Sequence, residues 1–179
     1  AARTSAVSLE IEFFGGTVGV KHLVTTGIGD DNIDWTDGWQ GKLQFAVAQQ
    51  YDDNGDNGIE ADNNGDDNSA TPRSMPTLSH ITLIGVPGGA SSDLGLLLRE
   101  GTAGHLSNIV VTGFADACLD LDHDATFAQV DSGALSIDHS ILDCVTSFGE
   151  DAADPFSVAD FFDDGDGNQL GDPGLAGAR

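Results

Sequence analysis

Positive charge is what this chain most lacks. Its 179 residues include 6 Lys and Arg against 30 Asp and Glu, a formal net charge of −24. A field of that sign repels phosphate backbones and anionic lipid, which excludes nucleic acid and an anionic membrane surface as partners. Glutamate is scarce as well: 25 of the acids are Asp and only 5 are Glu. Glu favours helix interiors, whereas Asp favours caps, turns and oxygen-rich cation sites, so a helical bundle is disfavoured. Proline is rare, at 5 residues, while 24 Gly provide for many tight turns. The two cysteines, Cys118 and Cys144, permit a single disulfide without requiring one. No apolar run approaches the roughly 18 residues of a spanning helix, so no membrane span is expected. The chain opens AARTSAVSLEIEFFGG, with neither an initiating Met nor a signal peptide, and is expected to be a mature or cleaved fragment.

What is present is a repeat. One segment recurs as VKHLVTTG (20–27), LQFAVAQQ (43–50), LSHITLIG (78–85), LSNIVVTG (106–113) and IDHSILDC (137–144). A second recurs as IEFFGG (11–16), IDWTDG (33–38), IEADNNG (59–65), LLLREG (96–101) and LDLDHD (119–124). First-segment starts lie 23, 35, 28 and 31 residues apart, with the variation in loops at 51–58, 66–75 and 86–93. Two short strands rich in Val, Ile, Leu and Thr, repeated with Gly, Asn and Asp corners, define a β-solenoid. The expected fold is therefore all-β, a parallel β-helix (solenoid) of about five to six coils over residues 1–150. An acidic Gly/Asp-rich cap or tail occupies 151–179, with PFSVADFF as a short amphipathic cover for the last coil.

The register turns the repeat into columns. Position three of the first segment stacks His22, Phe45, His80, Asn108 and His139. Three imidazoles invite a metal reading, but the Phe45 coil separates His22 from His80, and a polar ladder at a bend is the preferred assignment. In the second segment one column stacks Glu12, Asp34, Glu60, Leu97 and Asp120, and another Phe14, Thr36, Asp62, Arg99 and Asp122. Coils ~4.8 Å apart bring like charges together unless they are solvated, protonated or bridged. Arg99 can pair with Asp62 or Asp122, and Arg73 can fold back over the same face. Trp35 shares a column with Phe13, Ala61, Leu98 and Leu121 and is expected in the core; Trp39 and Tyr51 fall in turns, which leaves core or sugar platform undecided for both.

Calcium is the cofactor the acids favour, in a structural role, because hard oxygen ligands in flexible loops suit it. Candidate ligands are Asp30, Asp31, Asp34, Asp37, Glu60 and Asp62, together with Asp164, Asp166 and Asn168 at the 1, 3, 5 spacing of an EF-hand-like loop. That loop has Gln169 at its sixth position and Leu175 at its twelfth, where Gly and Glu are expected. Catalysis is the weaker reading. Asp34, Glu60 and Asp62 could form a glycosidase pair, or act with Arg99 as a polysaccharide lyase, but any acidic solenoid face offers such pairs. No GxSxG, HExxH, P-loop or CxxC occurs. On the repeat alignment Cys144 lies level with Gly113, one coil from Cys118, so a disulfide between adjacent coils and an oxidising exterior are plausible.

With the repeats laid out, EFFGGTVGVKHLVTTGIGDDNIDWTDGWQGK, IEADNNG, TPRSMPTLSHITLIG and LLREGTAG resemble a family of bacterial right-handed β-helix proteins. The resemblance covers roughly residues 7–145. It implies a secreted protein or surface lipoprotein of unassigned function, of which this chain would be the C-terminal half, and it brings no catalytic residues. The functional expectation is an extracellular or cell-surface structural and binding module, stacking its first coil on an upstream segment or neighbouring subunit. The alternative is a polysaccharide binder or degrading enzyme on the acidic face, with Trp35, Trp39 and Tyr51 as sugar-stacking surfaces.

Overall fold

The structure, a computed structural model, describes residues 11–52 and 55–175. The strand-like opening before Ile11, and Asp53 and Asn54 of the acidic loop, lie outside the described residues. Each coil supplies one short and one long strand: β1 (Glu12–Phe14) and β2 (Gly19–Thr26), β3 (Ile33–Thr36) and β4 (Lys42–Gln49), β5 (Ile59–Ala61) and β6 (Thr77–Ile84), β7 (Leu94–Leu98) and β8 (Gly104–Thr112), and β9 (Ala117–Leu121), followed by helix α1 (Asp124–Asp131) and strands β10 (Leu135–Asp138) and β11 (Ile141–Asp143). The short strands form a parallel sheet in the order β1-β3-β5-β7-β9, and the long ones a second parallel sheet running from β2 through β4, β6 and β8 to β10 and β11. This is a right-handed parallel β-helix.

Each long strand is bent once. His22, Phe45, His80, Asn108 and His139 all hold left-handed backbone, with φ between 52° and 61°. Pairing skips these residues, passing from Lys21↔Gln44 to Leu23↔Ala46. The ladder expected at this column is therefore a corner. In its first rungs His22 stacks on Phe45 with centroids 5.3 Å apart, and His80 lies tilted against Phe45 at 5.1 Å. Asn and His tolerate this backbone better than most residues, which accounts for their recurrence here.

Inside, alternate positions of both sheets interlock. Leu43, Leu78, Leu106 and Ile137 form one column, and Ile33, Ile59, Leu96 and Leu119 face them. Trp35 is fully buried, and Ala61 beside it in register leaves the indole its space. The Trp35 indole N–H donates to Thr102 Oγ1 at 3.0 Å. Trp39, whose turn position leaves its exposure undecided in the sequence, is fully buried too. It folds in from the corner, stacks on Phe13 at 4.2 Å, and donates its N–H to the Val18 carbonyl. Gly41 makes room for it: a Cβ there would lie 2.3 Å from the indole nitrogen and 1.9 Å from Val18 O.

Helix α1 replaces a corner that sequence periodicity reads as the end of LDLDHD. After the last coil, α2 (Val158–Asp164) buries Val158, Phe161 and Phe162. Ser157 Oγ accepts the Asp160 N–H, and the Glu150 carboxylate accepts those of Val158 and Ala159. The tail then adds strand β12 (Gln169–Leu170) to β11, so the stacked sheet continues past residue 150. Cys118 and Cys144 are joined by a disulfide, with Cα atoms 5.6 Å apart, tying β9 to the end of β11.

Candidate functional site

The register Glu12↔Asp34↔Glu60↔Leu97↔Asp120 places four carboxylates in one column of the short-strand sheet. Alternation forces them outward, because Ile33, Trp35, Ile59 and Ala61 on either side point into the core. The loops leading into β3 and β5 add more acid to the same end of the coil. Asp31 is buried, and its Oδ1 accepts the Asn57 backbone N–H at 2.8 Å. Two overlapping carboxylate triads result, Asp30–Asp31–Asp56 and Asp31–Asp34–Glu60, each with one oxygen per residue lying within 4.8 Å of the others.

Crowding has an electrostatic consequence. Burial, then the charges of Glu12, Glu60, Asp31 and Asp62, pushes the Asp34 carboxyl up to about 8. Burial and Asp31 push Glu60 up to about 7, with Arg99 opposing them. Asp31 rises to about 6, chiefly through burial, while its bonds from Asn57 pull the other way. Glu12 and Asp56 are raised as well, again led by burial. Asp34 Oδ1 is buried and makes no hydrogen bond. Protons or a cation can relieve such a column; nothing else within it can.

Relief at its far end comes from Arg99. Its Nε donates to Asp62 Oδ1 at 2.9 Å and Nη2 to Asp62 Oδ2 at 3.2 Å, while Nη2 also bonds Glu60 Oε1. Burial disfavours the guanidinium charge, but the Asp62 bond and the Asp62 and Glu60 charges outweigh it, so its pKa is raised. A guanidinium held this way positions the Glu60 and Asp62 carboxylates. Arg73 does not reach this face: its Nη1 bonds the carbonyls of Asn68 and Gly101, bracing the long loop.

The remaining acids expected as ligands lie apart from the triads. Asp37 accepts the Asn64 amide at 2.7 Å, and Asp62 is taken by Arg99. Asn168 is engaged throughout: Nδ2 donates to the Ile137 and Phe162 carbonyls and Oδ1 accepts the Ser140 N–H. Asp164 ends α2, and Asp166 uses its backbone to bond His139 and Asp138. The segment 164–168 thus clips the tail onto the last coil, because its amide is consumed by backbone groups. Asp56 is the residue that sequence reasoning passed over. Its signal was the acidic loop at 51–58, without a register position to single it out.

Strand columns, a left-handed corner in each coil and an acidic column on the short-strand sheet define a solenoid of a particular kind. A family model described as a pectate-lyase-like beta helix domain matches residues 8–173. The chain belongs to that family. No curated protein and no solved structure matches it. The pectate-lyase-like β-helix match reaches beyond β11 to take in α2 and β12, in accord with the continuous sheet. Among the described residues no helix is long and apolar enough to cross a membrane.

Proposed function

We propose that this chain is an extracellular or cell-surface β-helix module with a structural and binding role, and that calcium bound at the acidic column stabilises it. The observation that carries this reading is the pair of carboxylate triads sharing Asp31, held by strand register and by the Asn57 bond. A divalent ion there would compensate the burial and the neighbouring carboxylate charges that together raise Asp34 to about 8, using the hard oxygen donors calcium prefers. The Cys118–Cys144 disulfide supports an oxidising location, in keeping with a secreted or surface lipoprotein of bacterial type. Stacking at the first coil is supported by its edges. Among the described residues β1 and β2 are each paired on one side only, and Phe14 and Val24 are 67% and 68% exposed there. An upstream segment, a partner chain or a neighbouring subunit would complete these edges.

The test is thermal unfolding with saturating calcium and with chelator. A ligand at ~100 times its dissociation constant adds about 2.7 kcal/mol. For a domain of this size that moves the midpoint by roughly 5–10 °C. An unchanged midpoint would remove calcium from the proposal.

A second reading has one observation in its favour. Asp34 at about 8 and Glu60 at about 7 would retain protons near neutrality, as the general acid of a glycosidase must. Tyr51 is 47% exposed and available to a sugar, whereas Trp35 and Trp39 are buried and are not. Polysaccharide turnover abolished by Glu60→Gln, in protein that still folds, would favour this enzyme over the structural module.

A further inference from the structure

The long-strand sheet is the reverse of the acidic column. Strands β2, β4, β6 and β8, of eight, eight, eight and nine residues, contain no Asp or Glu. They hold instead both lysines of the chain, Lys21 and Lys42, and three of its five histidines. In a molecule of net charge −24, this is where an anion meets least repulsion.

The sheet is also hollowed there. A cleft of about 570 Å³ crosses β2, β4 and β6, within the roughly 300–1,000 Å³ usual for small-ligand pockets. Gly19 stands in register with Lys42 and contributes no side chain, which opens the depression beside the first strand. Its side-chain lining is Lys21, Lys42, Gln44, Thr77 and Ser79, with Val20 and the core residue Leu43 in the sheet beneath. Ammonium groups, one amide and two hydroxyls on one face suit a hydroxylated ring carrying an anion. Both cations are Lys. A lysine ammonium is a compact point charge with rotatable donors, suited to a tetrahedral oxyanion, whereas planar carboxylates favour the arginine fork.

We propose that this cleft binds a sugar bearing a tetrahedral oxyanion ester, with Lys21 and Lys42 holding the ester oxygens and Gln44, Thr77 and Ser79 the ring hydroxyls. The cleft lies on a different sheet from the carboxylate triads and does not depend on calcium.

The test is amide chemical-shift mapping of the full chain titrated with glucose 6-sulfate, glucose 6-phosphate and glucose. At least one ester should shift the amides of Lys21, Lys42, Gln44 and Ser79 saturably, with glucose far weaker; the tighter ester identifies which oxyanion the site takes. Each lysine should contribute roughly tenfold, as charge-assisted bonds do, so K21Q/K42Q should bind about a hundredfold more weakly. Both lysines are exposed, so that variant keeps its fold. Gly19→Val narrows the cleft beside Lys42 at unchanged charge and should weaken binding; a Cβ at Gly19 meets nothing closer than 3.5 Å. No saturable shift from either ester, or shifts that persist in K21Q/K42Q, would overturn the proposal. So would broadening of these amides that grows with protein concentration alone, which would assign the surface to a second copy of the chain.

Discussion

At the scale of the residue, Asp34 carries the most consequence. Its carboxyl has an ordinary value of 3.8 and sits at about 8 in the fold. The folded state therefore holds a proton that the unfolded chain releases, so stability is greatest below pH ~4 as far as this group is concerned and is lost as pH rises towards 8. Glu60, raised to about 7, and Asp31, raised to about 6, add to the same trend over a lower range. Asp34→Asn mimics the protonated carboxyl at every pH. Without calcium, the variant should unfold at a higher temperature than the parent at pH 8, by a smaller margin at pH 5, and at nearly the same temperature only near pH 3, below the ordinary carboxyl value. Its response to calcium should also shrink, since one oxygen of the Asp31–Asp34–Glu60 triad is replaced by a weaker ligand. A variant that unfolds at the parent's temperature at pH 8 would show that the column carries no strain from charge.

Elements follow from the repeat with different degrees of legibility. The second-segment columns could be read directly, because β1, β3, β5, β7 and β9 align without gaps and a period of two fixes which side chains face out. This reasoning alone puts Asp34 and Glu60 in one column. Trp39 was not legible: it belongs to a corner, and only the three-dimensional path past Gly41 reveals that the indole turns inward onto Phe13. Helix α1 was hidden for a related reason, as an eight-residue insertion at a corner has no counterpart in the other coils. Asp56 sits in a loop whose length varies between coils, so no register pointed to it. The corner at Gly41 makes its own prediction. A methyl group there would overlap the Val18 carbonyl as well as the Trp39 ring, and backbone cannot yield as a side-chain end can. Gly41→Ala should cost about 3 kcal/mol or more in denaturant unfolding. Gly19→Ala, whose added Cβ meets only ordinary contacts, should cost a small fraction of that.

For the molecule as a whole, the question is whether its charge is merely tolerated or specifically neutralised. A net charge of −24 destabilises any compact state through self-repulsion. Here the repulsion is uneven, concentrated on the acidic column and its loops while β2, β4, β6 and β8 carry none of it. General screening and site binding respond to salt differently. Raising sodium chloride from about 0.01 M to 1 M shrinks the Debye length from ~30 Å to ~3 Å, and the unfolding midpoint should climb gradually across that range. Calcium should act at millimolar levels, where it adds little ionic strength, and should saturate. At matched ionic strength the calcium midpoint should therefore lie several degrees above the sodium midpoint. Asp34→Asn should narrow that gap while leaving the sodium curve nearly parallel to the parent's. If the calcium and sodium curves coincide at every ionic strength, the triads act only as part of a diffuse negative field, and the acidic column is tolerated through screening alone.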